Sequence, residues 1–151
     1  MISKILVPTD GSKTAQKAAF YAVDLAKQIN ASVIILSIID QRSFMFISQT
    51  VPARRTPRQV DEPVADYLRE AAEKYVGEIK QLCDSNEVQS TTVVTTGHPV
   101  EKIIKEAKKS KADLIVIGSH GRSLLAAAVL GSVAYGIIHN DTKIPVLVVR
   151  K

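Results

Sequence analysis

Residues 114–138 read LIVIGSHGRSLLAAAVLGSVAYGII, and the rest of the chain can be interpreted around them. A compact apolar run ends at Ile117, and glycines follow at positions 118 and 121. Nine residues separate Gly121 from Gly131 and Ser132, where a second apolar segment begins. This order predicts a strand, a glycine loop and a helix. Because glycine lets a backbone approach a ligand closely and a helix start favours anions, the segment predicts a phosphate cradle suited to a nucleotide.

Apolar β-branched runs alternate with helically spaced apolar positions along the whole chain. The predicted strands cover residues 4–9, 32–39, 88–96, 113–118 and 143–150. The predicted helices cover residues 13–30, 66–86, 99–110 and 132–139. Such alternation predicts a five-stranded parallel sheet with helices on both faces, that is, an α/β three-layer sandwich in a single domain of residues 1–151.

Residues 41–63 differ from the rest of the chain in composition. They contain Pro52, Pro57 and Pro63, four arginines and a small apolar island at residues 44–47. Segments of this length between elements of a compact domain are usually functional or disordered. We therefore predict a long flexible loop here.

Composition argues against several classes of partner. The net charge is +5, but the densest lysines, between Lys102 and Lys111, alternate with glutamates and are typical of a solvated helix face. There is no tryptophan to stack on bases, so no nucleic-acid partner is expected. The longest uncharged apolar-rich segment, residues 123–138, is shorter than the roughly 20 residues of a membrane span. Cys83 is the single cysteine, which fits a reducing, cytoplasmic location.

In parallel α/β sheets, ligands bind at the carboxyl ends of the strands. Asp10, Asp40, Gly97 and Gly118 each follow a predicted strand, so we expect them along one edge. A carboxylate beside phosphates repels them unless a cation lies between, so Asp10 is predicted to hold magnesium or to bond a sugar hydroxyl. Alternatively, Asp10 only caps the next helix. Asp40 is interpreted as a turn residue, with a ribose or loop contact as the alternative. Ile38 is interpreted as a core residue whose backbone could meet a base.

Further candidates lie in the glycine loop and at the following helix start. Gly131, Ser132 and Val133 would offer backbone N–H groups to phosphate, and the guanidinium of Arg122 could reach it unless it is simply exposed. His120 is a weak catalytic candidate because no second acid or base is spaced to partner it. No metal-ligand cluster or catalytic triad is evident, so the pattern favours binding over turnover.

At these residues the sequence resembles the universal stress protein family over essentially its whole length. The shared motifs are KILVPTDGS (residues 4–12), the Gly97-His98-Pro99 turn, GSHGRS (118–123), LGSVA (130–134) and PVLVVR (145–150). The full G-x2-G-x9-G-S spacing resembles the ATP-binding branch of that family. The resemblance implies the adenine-nucleotide alpha-hydrolase-like fold with strand order 3-2-1-4-5, ATP and magnesium as ligands, and a role as a nucleotide-dependent stress-response regulator or switch.

The resemblance also implies where the ligand lies. Pro8, Thr9 and Asp10 would lie at the nucleoside and phosphates, and the backbone of Ile38 would hold adenine. Residues implied around the ribose and phosphates are Gly118, His120, Gly121, Arg122, Gly131, Ser132 and Val133. It further implies a homodimer that pairs the last strand, residues 145–150, across a two-fold axis.

One departure from the family pattern is the spacer of the motif. Residues 124–130 read LLAAAVL, whereas charge is usual in the middle of that spacer. We hypothesise that this segment, with residues 44–47, contacts an unknown protein partner or another subunit, unless it simply packs as helix. Two alternative functions stay open: a slow magnesium-dependent ATPase, and an interaction protein with a vestigial site. No dedicated enzyme is predicted, and at most slow ATP hydrolysis.

Overall fold

The computed structural model describes residues 1–42, 57–121, 130–140 and 143–151, and only the backbone of residues 57–62. Within these ranges, strands pair into one sheet in the order β3-β2-β1-β4-β5, and every pair is parallel. The strands are β1 (Lys4–Pro8), β2 (Ser32–Asp40), β3 (Ser90–Gly97), β4 (Leu114–Gly118) and β5 (Val146–Val149). The predicted α/β fold, parallel sheet and strand order are confirmed.

Helices alternate with these strands. They are α1 (Lys13–Ile29), α2 (Pro57–Ser85), α3 (Pro99–Ser110) and α4 (Ser132–Ile138). The α1 helix starts at Ser12, whose Oγ accepts a hydrogen bond of 3.2 Å from Ala15 N, and it ends at Asn30 in the left-handed conformation. Such caps satisfy backbone groups that a helix end leaves unpaired.

The core has two halves, one on each face of the sheet. On β1, Ile5 and Val7 pack with α1 and α2, whereas Leu6 between them packs with α3 and α4. Alternate residues of a strand point to opposite faces, so a strand covered on both sides must be apolar throughout. This explains the nearly continuous apolar runs and yields three layers.

The predicted boundary between residues 41–63 and the second helix is wrong. The α2 helix begins at Pro57 rather than at Asp66, and Pro63 lies inside it. Proline suits the first position of a helix, where no N–H is needed, so Pro57 marks a start rather than a loop. Pro63 removes one hydrogen bond from a helix of 29 residues, and packing elsewhere outweighs this. Residues 43–56, including the island at 44–47, lie outside the described residues.

The strands β3 and β5 begin two or more residues later than predicted. β3 begins at Ser90, because Val88 N still donates to Cys83 O in the turn that closes α2. β5 begins at Val146 rather than at residue 143. No helix in the described part of the chain has the length and apolar character that crossing a membrane requires.

Candidate functional site

The carboxyl ends of β1, β2 and β4 meet at one edge of the sheet, as expected. Pro8 lies beside Leu36 in the sheet register, and Thr9 N continues the pairing by donating to Leu36 O over 2.8 Å. Gly118 lies beside Val149, and Ser119 N donates to Val149 O over 2.8 Å. The backbone is therefore ordered by sheet hydrogen bonds up to the loops that carry the candidate residues.

The turn between β1 and α1 presents Asp10. Buried Thr9 accepts a hydrogen bond from Gly11 N at Oγ1 over 3.2 Å, and Asp10 Oδ1 accepts one from Ser12 N over 2.9 Å. Gly11 has φ +76°, which glycine adopts without the steric cost that a side chain would bring. Asp10 thus forms an Asx turn that leads into α1. The residue that caps this helix is Ser12, so the alternative in which Asp10 is the cap is wrong.

The glycine loop lies directly against Asp10. A β carbon placed on Gly121 would lie 2.7 Å from Asp10 Oδ2, which is too close for a real side chain. Gly131 N donates to Ser119 O over 2.6 Å, and a β carbon on Gly131 would lie 2.9 Å from that oxygen. Segments far apart in sequence are therefore packed closely at Gly121 and Gly131.

Gly118 has a packing role in addition to its place in the motif. A β carbon there would lie 2.9 Å from Thr14 Cγ2 and 3.0 Å from the Thr14 carbonyl carbon. Thr14 belongs to the first turn of α1, so the end of β4 and the start of α1 are in close contact. Gly118 therefore lets α1 lie tightly over the sheet.

Ser119 was missed by the sequence interpretation. It is 2% exposed, and its Oγ lies 2.8 Å from His120 Nδ1. The imidazole of His120 is therefore hydrogen-bonded to the adjacent serine, whereas the sequence had suggested no partner for it. The sequence contained one signal for Ser119, which is a small polar residue directly after a fully apolar strand.

Gly131, Ser132 and Val133 lie at a helix start, as predicted. Gly131 is the N-cap residue of α4, has extended backbone angles, and accepts a hydrogen bond from Tyr135 N over 2.9 Å. No side chain caps the helix at this residue. Ser132 is exposed, and Val133 packs against the core half that contains α3 and α4.

Ile38 and Asp40 lie at the end of β2. Ile38 is half-buried against the core half that contains α3. Asp40 forms an ion pair with Arg42, whose Nη2 lies 2.8 Å from Oδ2. Burial raises the pKa of the Asp40 carboxyl, but the hydrogen bonds and charge of Arg42 outweigh it and hold that pKa below its usual value. This partner supports the interpretation of Asp40 as a turn residue.

Arg122 and residues 123–129 lie outside the described residues, so the predicted phosphate contact and most of the apolar spacer have no geometry to report. In the ranges that the structure describes, no cluster of three or more His, Cys, Asp or Glu residues could hold a metal ion.

A separate cavity of about 960 Å³ lies at the opposite edge of the sheet. Its walls come from the first residues of β2 and β3 and the last residues of α2 and α3, including Ser32, Ser90, Asp84 and Ser110. None of the predicted site residues lines it.

Comparison with known proteins agrees with this fold. A family model described as "Universal stress protein family" matches residues 1–150. The chain belongs to this family. Among curated universal stress proteins, MJ0531 of Methanocaldococcus jannaschii is 34% identical over 151 residues, which cover 100% of this chain and 84% of that protein.

Two solved structures extend the comparison of this universal stress protein. The structure of MJ0577, from the same archaeon, has a TM-score of 0.83 at 30% identity and covers 100% of this chain and 97% of its own. A universal stress protein in complex with cAMP has a TM-score of 0.63 at 25% identity, and the match covers 99% and 97% of the two chains. That relative therefore binds a nucleotide.

Proposed function

We propose that the protein binds ATP at the carboxyl edge of its sheet and acts as a nucleotide-dependent regulator of a stress response, within the ATP-binding branch of its family. The observation that carries this proposal is the packing of Asp10 against Gly121, where a β carbon would lie 2.7 Å from Oδ2. It joins a carboxylate to a loop of exposed backbone, which is the combination that a metal-bound phosphate chain requires.

The phosphates would lie over the glycine loop. Gly131 packs on Ser119 O, and Ser132 and Val133 follow at the start of α4. The backbone N–H groups of Ser132 and Val133 and those of the glycine loop, with the Ser132 hydroxyl, would donate to phosphate oxygens, whereas the N–H of Gly131 already donates to Ser119 O. Gly118, His120 and Arg122 complete the proposed surroundings, His120 being oriented by Ser119 Oγ at 2.8 Å.

The nucleoside would lie over the ends of β1 and β2. Pro8, Thr9 and Ile38 come together there, since Thr9 N donates to Leu36 O two residues before Ile38. The half-buried Ile38 offers an apolar side chain and backbone groups to adenine. The relative in complex with cAMP supports an adenine nucleotide as the ligand class.

Magnesium would reach this site with the nucleotide. Mg²⁺ in proteins usually keeps several waters and is held by one or two carboxylates together with substrate phosphates. Asp10 supplies one carboxylate beside the loop, which fits that pattern. The bound ion would neutralise phosphate charge, and the role of Asp10 is to hold it there.

The decisive experiment analyses nucleotide that co-purifies with the protein. The protein is purified without added nucleotide, denatured, and the released compounds are separated and quantified, immediately and after incubation with magnesium. Retained intact ATP supports the regulator. ADP that accumulates with time supports the alternative of a slow ATPase. Protein that elutes empty and shows no measurable affinity for added ATP favours an interaction protein with a vestigial site and rejects the proposal.

We also propose that the chain forms a homodimer in the cytoplasm through β5, within residues 145–150. Among the described residues β5 pairs with β4 alone, and Leu147 is 39% exposed on it. An apolar edge strand of this kind is commonly covered by a second copy. The protein partner of the regulator is unknown.

Light scattering tests the dimer. The wild type should have twice the chain mass of 16.4 kDa, and Leu147→Asp should halve it. Thr92→Asp is the matched control, because Thr92 is exposed on β3 at the other edge of the sheet and should leave the mass unchanged. A wild-type monomer, or a Leu147→Asp dimer, would reject pairing through β5.

A further inference from the structure

Tyr75 of α2 lies against the turn that carries Asp10. A β carbon on Gly11 would lie 2.3 Å from Cε1, 2.5 Å from Cδ1 and 2.6 Å from Cζ of this ring. The ring edge therefore covers the α carbon of Gly11. No other residue could occupy position 11 unless this ring moved.

The turn needs an external restraint. Gly11 has φ +76° and can leave that conformation at little steric cost, because glycine tolerates most backbone angles. Restraints on the turn include the hydrogen bond from Gly11 N to Thr9 Oγ1, which is long at 3.2 Å, that from Ser12 N to Asp10 Oδ1 at 2.9 Å, and a long one of 3.5 Å from Gln16 Nε2 to Gly11 O. A ring packed on Gly11 opposes the rotation that would break these bonds.

The position of Tyr75 is set by the core. Its neighbours on the helix, Ala72, Val76 and Ile79, are buried, and Tyr75 is half-buried beside them. The packing of α2 against the sheet therefore fixes the position of the Tyr75 ring, which has few rotamers, against the turn that carries Asp10.

We infer that Tyr75 is a positioning residue for Asp10: its ring holds the Gly11 turn in the conformation in which the carboxylate meets the Gly121 loop. Tyr75 acts through Asp10. The consequence for ligand binding rests on the proposed function, whereas the effect on the turn does not.

Amide hydrogen exchange of the nucleotide-free protein tests the effect on the turn. Removing the ring in Tyr75→Ala should speed exchange of the Gly11 and Ser12 amides by about tenfold or more, because their acceptors depend on the turn. Tyr75→Phe keeps the ring and should restore protection. Tyr67→Ala is the matched control, because Tyr67 is on the same helix and 67% exposed. Tyr75→Leu serves if the alanine variant is poorly folded.

Calorimetric titration tests the effect on the ligand. Loss of a group that orients a metal ligand typically lowers metal affinity 10- to 100-fold, so Tyr75→Ala should weaken binding of magnesium ATP by about tenfold. Binding of ATP in excess chelator should change by less than about twofold, because only the metal contact of Asp10 is affected. Unchanged protection of Gly11 and Ser12, or a loss equal with and without magnesium, would overturn the inference.

The two proposals fail in different ways. Wild-type protein that binds no nucleotide rejects the proposed function, while the exchange experiment still decides whether Tyr75 holds the turn. If the wild type binds magnesium ATP and Tyr75→Ala binds it with the same affinity, the proposed function stands and the positioning role is rejected.

Discussion

At the scale of residues, the candidate site depends on the absence of β carbons. Gly121 approaches the end of the Asp10 carboxylate, whereas Gly118 approaches backbone atoms of Thr14. A side chain can move aside and a helix backbone cannot. We therefore expect Gly121 to matter for ligand binding and Gly118 to matter for folding, although both belong to one motif.

Gly121→Ala should weaken binding of magnesium ATP and leave stability nearly unchanged. The new methyl would lie 2.7 Å from Asp10 Oδ2 and displace the carboxylate. We expect an affinity loss of about tenfold, equivalent to about 1.4 kcal/mol, measured by calorimetric titration.

Gly77→Ala is the matched control for this substitution. A β carbon at Gly77 would meet no atom within 4 Å, and the residue lies inside α2. Alanine there should leave ATP affinity unchanged and raise the free energy of unfolding by about 0.5–1 kcal/mol. Equal ATP affinity in Gly121→Ala and wild type would contradict the arrangement of Asp10 and Gly121.

Residue types and spacing predicted Asp10, Gly121 and Gly131, because a motif records which residues must be small or charged. Ser119 and Tyr75 could not be found in this way. The contact of Tyr75 with Gly11 joins two elements, and sequence spacing does not determine which side chain of α2 covers a given turn. The hydrogen bond between Ser119 Oγ and His120 Nδ1 depends on side-chain rotamers.

At the scale of elements, the approach of β4 to α1 predicts a stability effect. Gly118→Val would place carbon atoms within about 3.0 Å of the Thr14 backbone, which belongs to the start of α1. Overpacking of this kind costs about 1–3 kcal/mol, which should appear as a lower urea midpoint. A variant as stable as wild type would show that α1 can shift away from the sheet at little cost.

Asp113 directly precedes β4, and its side chain is hydrogen-bonded to the start of β1. It accepts hydrogen bonds from Ser3 N and Ser3 Oγ at 2.9 Å and from Lys4 N at 3.0 Å, and the bonds from Ser3 and then Lys4 lower the pKa of its carboxyl. A carboxyl group whose pKa is lower in the folded than in the unfolded state stabilises the folded protein at pH values above its unfolded pKa. That stabilisation is lost as the pH falls through the folded value.

Asp113→Asn should therefore destabilise the protein near neutral pH but not in acid. Solvent exposure limits the expected loss to about 1 kcal/mol at pH 7. The difference in free energy of unfolding between wild type and variant should shrink as the pH is lowered from about 5 to below the unfolded carboxyl value of about 3.9. Denaturant titrations across this range measure it, and a difference independent of pH would contradict the charged role.

The strands could be predicted well because burial on both faces demands continuous apolar sequence, and such runs are easy to recognise. The start of α2 was not predicted, because proline is compatible with both a loop and a first helical position. Only packing of α2 against β2 and β3 distinguishes these.

At the scale of the whole molecule, Cys83 reports on opening of the core. It is fully buried among residues of β1 and α2, and burial raises the pKa of its thiol. Both effects oppose reaction with a thiol reagent in the folded protein. Labelling should therefore be slow and should follow unfolding.

Magnesium ATP should slow the labelling of Cys83 if ATP binds only the folded state. A ligand at about 100 times its dissociation constant stabilises by about 2.7 kcal/mol, which corresponds to about 100-fold slower labelling when opening is a fast pre-equilibrium. Absorbance assays of the released reagent measure the rate. An unchanged rate with bound ATP would show that Cys83 opens locally, without loss of the site.

The central position of β1 also governs when the site can exist during synthesis. β1 pairs with β2 through Ile5 and Val33, but with β4 through Ile5 and Leu114, which leaves the ribosome much later. A nascent chain that contains Asp10 but not Gly121 and Gly131 has the carboxylate without the loop that packs on it. Under the proposed function, nucleotide can therefore be captured only by a chain that extends past Gly131, so occupancy of the site would distinguish chains that contain this residue from shorter ones.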